Sequence, residues 1–147
     1  MMEQRLSMVT LAVDDLPATR HFLEAGLGWE PGELPGEDIV FYQAGGSILA
    51  LYKRDALARE LGRPVPAQAL GSVTLAWNAR SEEEVQFTFQ RAVDAGAVVV
   101  KRPEKAFWGG YSSYVEIPGG HLLEIAYNPF WPIDKEGNIS LSAPETA

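Results

Sequence analysis

The sequence predicts an α+β fold in which two paired βαβββ units form a curved mixed sheet around a central cavity. Two observations carry that prediction. The first is an internal repeat: Val9-Thr10-Leu11-Ala12 recurs as Val73-Thr74-Leu75-Ala76, an offset of 64 residues (9 to 73). Ala25-Gly26 recurs as Ala95-Gly96 at an offset of 70 (25 to 95), and Gly45-Gly46 as Gly119-Gly120 at 74 (45 to 119). Three collinear matches mark a duplicated unit, and offsets that grow along the chain give the second copy a longer helix and a longer loop. The second observation is that both copies show one succession of patterns: a strand, a helix, then three strands. The repeats, about 5–53 and 69–127 with a linker at 54–68, make a single domain over 1–128, followed by a C-terminal tail at 129–147.

In chain order, Arg5 to Val13 is a strand rich in β-branched and aliphatic residues. Asp14-Asp15 supplies N-cap chemistry, and Pro17 suits a first helical turn, so a short helix runs to Ala25 and ends at Gly26 and Gly28. Trp29 to Leu34, Asp38 to Ala44 and Ser47 to Lys53 are the three strands, separated by Pro35-Gly36 and Gly45-Gly46 turns. A linker helix covers Asp55 to Gly62, and Arg63-Pro64-Val65-Pro66 is a stiff connector. The second copy opens with a strand at Ser72 to Asn78 and a helix from Ser81 to Ala95, where Ser81 and Glu84 have capping-box spacing. Strands at Ala97 to Lys101, Ser112 to Ile117 and His121 to Tyr127 complete it, and the aromatic tail Phe130-Trp131 packs on the body before fraying near Ala143.

Composition narrows the function classes. A chain of 147 residues, 46% hydrophobic and 10% aromatic, suits one globular domain. The absence of cysteine excludes disulfides, thiolate metal sites and a cysteine nucleophile. Twelve basic against 20 acidic residues give a net charge of −8, which repels phosphate backbones and anionic lipid, so neither nucleic acid nor membrane is an expected partner. The start Met1-Met2-Glu3-Gln4-Arg5 has no signal-peptide pattern, and a cytoplasmic protein is expected. Only His21 and His121 are available for imidazole chemistry.

Strand alternation separates two faces. Val9, Leu11 and Val13, with Val73, Leu75 and Trp77, form a large apolar face that meets the helices. Trp77 and Phe87 fall on core-facing patterns. The opposite face carries Met8, Thr10, Ser72 and Thr74, then Tyr52, Tyr114 and Glu124, a small and partly polar set suited to lining a ligand pocket. Tyr42 has the same parity on this reading, and Trp108 opens a Gly-Gly loop that leads into a pocket strand.

With the paired units, Trp108-Gly109-Gly110-Tyr111 and Ile117-Pro118-Gly119-Gly120-His121-Leu122-Leu123-Glu124-Ile125-Ala126 resemble the vicinal oxygen chelate superfamily. This is the glyoxalase, bleomycin-resistance and extradiol-dioxygenase superfamily, and the likeness runs from about Arg5 to Pro129. The resemblance implies a glyoxalase-like cavity and, in metal-dependent members, one ligand on the first and one on the last strand of each half. The matching positions are Met8, Ala50, Ser72 and Glu124, of which only Glu124 ligates a divalent ion well. No metal and no cofactor are therefore expected. His121, three residues before Glu124 on the same strand, faces the other way and is expected to bond a backbone carbonyl at the Gly119-Gly120 turn.

Two readings of function follow. In the first, the protein binds a small organic molecule without metal, through Met8, Thr10, Tyr42, Tyr52, Ser72, Thr74, Trp108, Tyr114 and Glu124. In the second, Glu124 is the catalytic acid or base of a metal-independent lyase or isomerase, moving a proton next to a carbonyl with the help of a tyrosine hydroxyl. Unpaired sheet edges and the aromatic tail predict a homodimer.

Overall fold

A computed structural model describes residues 1–33 and 36–141. Its elements are β1 (Met8–Val13), α1 (Leu16–His21) running into a π-helical turn (Phe22–Gly26), β2 (Ile39–Ala44), β3 (Ser47–Lys53), α2 (Arg54–Leu61), β4 (Thr74–Asn78), α3 (Glu82–Asp94), β5 (Val98–Lys105), β6 (Tyr111–Ile117) and β7 (His121–Tyr127). They form two mixed sheets, ordered β1-β3-β2 and β4-β7-β6-β5, with β1 parallel to β3 and β4 parallel to β7. Among the described residues no helix is long and apolar enough to cross a membrane.

Local chemistry explains the helices. Asp15 Oδ1 accepts the Ala18 N–H at 3.0 Å at the start of α1, and Ser81 Oγ accepts the Glu84 N–H at 3.1 Å at the start of α3. Gly62, left-handed at φ 72°, closes α2. Helix α3 buries Val85, Phe89 and Ala92, a stripe repeating every three to four residues. Phe87 does not share it and is 68% exposed: two residues from Val85 is about 200° around the helix, so the core-facing assignment is corrected.

The first unit also departs from expectation. Trp29 to Glu33 is not a strand; one backbone bond, Gly32 N–H to the Phe41 carbonyl at 2.8 Å, ties it to β2. Pro31 removes a ladder donor there and Gly32 offers no side chain to pack. Leu34 and Pro35, and the expected fraying near Ala143, lie outside the described residues.

One hydrophobic core joins the halves, with Val13, Phe22 and Leu51 from the first and Val85, Val115 and Ile125 from the second all essentially inaccessible. Polar bonds stitch the seam. Thr19 Oγ1 lies 3.0 Å from the Asp15 carbonyl and 2.9 Å from the Pro118 carbonyl, so its proton serves both halves. His121, 4% exposed, uses Nε2 to donate to the Ala12 carbonyl at 3.0 Å. It therefore bonds a backbone carbonyl of β1 and not one in its own turn; the Gly120 carbonyl is taken instead by Gln68 Nε2 at 3.2 Å. Gln68 is itself held by Arg54 Nη2 at 2.8 Å.

Strand register refines the duplication. Met8 faces Ile48 and Thr10 faces Ala50, whereas Thr74 faces Leu122 and Ala76 faces Glu124. Taking Ser47 and His121, each the first residue after its glycine pair, as equivalent, the counterpart of Met8 is Thr74, an offset of 66 (8 to 74). The repeated Val-Thr-Leu-Ala stretches sit two residues out of step. Their side chains keep their face but shift along the ladder.

Candidate functional site

On the outer face of the second sheet, register places Glu124 between Ala76 of β4 and Tyr114 of β6. The Tyr114 hydroxyl donates to Glu124 Oε2 at 3.0 Å. Partial burial and the adjacent carboxylate push the Tyr114 phenol above its ordinary pKa. On the first sheet the same face presents Met8, 46% exposed, and Thr10, also exposed, beside the fully buried Ala50. Ser72 precedes β4, and its Oγ donates to the Ala69 carbonyl at 2.7 Å, so Glu124 takes its hydrogen bond from Tyr114 and not from Ser72 or Thr74.

The donor chemistry here does not fit a divalent ion. Register corrects the expected Ser72 to Thr74, because Thr74 faces Leu122 as Met8 faces Ile48; the four chelate positions are then Met8, Ala50, Thr74 and Glu124: a thioether, a methyl, a neutral hydroxyl and one carboxylate. Among the described residues no three His, Cys, Asp or Glu side chains come together to hold a metal.

The remaining sequence candidates scatter. Tyr52 lies half-buried near α2, where the Glu60 carboxylate raises its phenol pKa. Tyr42 faces Leu49 across the ladder and so belongs to the apolar face, not the outer one; it is 1% exposed and sits edge-on to Trp29 at 5.9 Å. Trp108 is 47% exposed and folds its ring over Gly110, beside the Tyr111–Tyr127 rung and three rungs from Glu124. His21 is exposed at a recess of about 510 Å³ that Arg20, Glu24 and Lys53 also line.

A cavity of about 380 Å³ opens on the apolar face, between the two halves. Val9 and Leu49 come from the first sheet, and Leu75, Trp77, Leu123 and Ile125 from the second. Leu27 and Trp29, after the π-helical turn, and Thr88, Arg91 and Ala92 of α3 enclose it. This cavity opens on the face that sequence pattern assigns to the helices. The reason is topological: β1 and β4 are unpaired edges that do not bond each other, and each helix covers mainly its own sheet, which leaves space between them. Of these residues, sequence pattern marks Val9, Leu75 and Trp77 only as packing, and gives no sign of Arg91 and Thr88. Both flank the buried stripe of α3 by one position, a pattern that reads as a solvated helix edge until a second layer is placed against it.

Next to the cavity wall, Arg20 Nε donates to Glu24 Oε2 at 2.7 Å, Arg20 Nη2 to Oε1 at 3.2 Å, and the Tyr42 hydroxyl to Oε2 at 2.8 Å. The Arg20 hydrogen bonds, aided by that of Tyr42, hold the Glu24 carboxyl below its ordinary value, while burial and then Glu24 push the Tyr42 phenol up. A depressed carboxyl stabilises the fold fully above its unfolded pKa of 4.5 and loses that contribution as pH falls through the lower folded value. Urea midpoints measured from about pH 6 to about pH 3 are expected to fall less steeply for Glu24→Gln than for the parent chain.

The comparisons with known proteins agree with this architecture. A glyoxalase-related enzyme from Fulvimarina pelagi superposes with a TM-score of 0.86 at 36% identity, over 95% of this chain and 99% of that one. A lactoylglutathione lyase from Agrobacterium tumefaciens gives 0.69 at 25% identity, over 90% and 100%. A possible glyoxalase from Bacillus cereus gives 0.62 at 28%, over 83% and 97%. No curated protein matches the chain. The family pattern described as Glyoxalase/Bleomycin resistance protein/Dioxygenase superfamily matches residues 5–125, both repeats together, and with the two-sheet fold it makes this chain a member of that superfamily.

Proposed function

We propose that this protein captures a small organic molecule without a metal, in the cavity between its two halves. The observation that carries the reading is the cavity itself: about 380 Å³, within the range of small-molecule pockets, lined almost wholly by apolar and aromatic side chains. The chelate positions support the metal-free half of the proposal, because one carboxylate among a thioether, a methyl and a hydroxyl does not retain a divalent ion against water. A thermal-shift screen of the native chain tests it, since any ligand of the folded state raises the melting temperature. Compact aromatic molecules are expected to raise it, and zinc, nickel, iron and manganese to leave it unchanged. Stoichiometric metal in protein purified without chelator, or a metal-dependent shift lost in Glu124→Ala, overturns the proposal.

A second reading rests on the Tyr114–Glu124 hydrogen bond of 3.0 Å, which pairs a proton acceptor with a phenol on an open face. In that reading Glu124 moves a proton next to a substrate carbonyl, as in a lyase or isomerase. The lactoylglutathione lyase likeness makes glutathione adducts of small keto aldehydes the first substrates to try. Glu124→Gln keeps the shape and is expected to abolish any such turnover while changing stability by less than about 1 kcal/mol, because the residue is half-exposed and the amide oxygen still accepts from Tyr114.

A homodimer is part of the same proposal. The edge strand β5 has a partner on one side only, and Met8, Val73, Val98 and Val100 are 44–59% exposed, apolar surface that a second copy would cover. Sedimentation at micromolar concentration is expected to give a dimer.

A further inference from the structure

The geometry points to an amphipathic monocarboxylic acid as the class of molecule the cavity takes, with its apolar body inside and its carboxylate on Arg91 at the mouth; this rests on the cavity reading above. Arg91 is the lone charged residue among those lining the cavity, so the site matches one negative charge and no more. Its guanidinium is already oriented: Nε–H donates to the Gly26 carbonyl at 3.1 Å. Among the described residues the two Nη groups have no hydrogen-bond partner and no acidic group within 4.0 Å. The nearest acidic residue on its own helix, Asp94, accepts instead from Gln90 Nε2 at 2.8 Å, and across the cavity Glu24 is engaged by Arg20.

Two further features leave the guanidinium open. Gly28 presents no side chain, and a Cβ built there would stand 3.1 Å from Arg91 Nη2. Thr88, one turn earlier on α3 and half-buried, also lines the cavity and has no hydrogen-bond partner among the described residues. Arg91 is solvent-exposed at the mouth and anchored through Nε, and its fork of N–H donors next to a hydroxyl is an arrangement that a carboxylate, with two acceptor oxygens, satisfies. Inside the mouth, Trp29, Trp77, Leu75 and Leu123 present no charge to a second polar group. A volume of about 380 Å³ lies at the small end of the range of small-molecule pockets, which suits a single ring with a short chain. An arylalkanoic acid of the size of 4-phenylbutyrate fits both the volume and the single charge.

The test compares 4-phenylbutyrate with 4-phenylbutan-1-ol on the native chain, following the fluorescence of the cavity tryptophans and, independently, the heat of binding. The acid is expected to bind about tenfold more tightly than the alcohol at low salt, a preference that shrinks as salt is added. Arg91→Met keeps the stem, removes the charge, and is expected to erase that preference. Equal binding of acid and alcohol by the parent chain, a comparison that needs no variant, overturns the carboxylate assignment and leaves the cavity reading standing. Failure of both molecules to bind overturns the cavity reading itself. An acid preference that survives intact in Arg91→Met places the recognising charge elsewhere and likewise overturns the assignment.

Discussion

Replacing Gly119 with alanine is expected to lower the unfolding free energy by about 3 kcal/mol, a large share of what a domain of this size possesses. Two effects add. The residue sits at φ 109°, where a Cβ is strained, and the new methyl would lie 2.7 Å from Thr19 Oγ1 and 3.2 Å from Val13 Cγ1. Thr19 cannot yield without loosening the hydroxyl that holds the Asp15 and Pro118 carbonyls across the seam. Gly62→Ala is the matched control: φ 72° with nothing within 4 Å, so it carries the backbone penalty alone, about 1 kcal/mol. Urea denaturation of the two variants separates crowding from strain, and similar midpoints would show that the seam accommodates the methyl.

The second large effect is on binding. Leu75→Trp places an indole in the cavity from a half-buried position of β4. Because the space is already there, the enlarged side chain is expected to cost less than about 1 kcal/mol of stability. Any molecule that occupies the cavity is expected to lose at least about tenfold in affinity, the equivalent of about 1.4 kcal/mol. Titration of the variant with a ligand found by thermal shift checks this, and unchanged affinity would move the binding site off the apolar face.

Sequence pattern served well where a single side chain answers a local need. Ser81 with Glu84, Gly62 after a helical run and the alternation in β7 each state a backbone requirement that the neighbours cannot override, and α3, α2 and β7 lie where those signals put them. It served less well where partners are distant. Trp29 to Glu33 holds one strand former, Trp29, while Pro31 and Gly32 weaken the ladder and only one bond to Phe41 forms. Counting along the strand puts Tyr42 on the outer face, whereas its pairing with Leu49 puts it on the apolar one. The site suffered most. Glu124 stands out in any reading as a carboxylate among small residues, but the cavity arises from two edges that fail to meet, a property of neither strand alone. Arg91 acquires meaning only once Gly26 and Gly28 of the other half are beside it.

The two-residue slip between the copies limits how such a duplicated protein can diverge. In a pleated strand a shift of one residue would have turned Leu75 and Trp77 outward and brought Thr74 and Ala76 into the core, whereas a shift of two exchanges each side chain for one of like exposure. An insertion or deletion within β4 itself keeps the two faces only in even steps, whereas the linker ahead of it absorbs any number. A chimera that exchanges β1 for β4 by matching the shared tetrapeptide would set every graft one inward-facing position out of place. The exchange that preserves packing swaps Val9 for Leu75 and Leu11 for Trp77, pairs that share no identity at all.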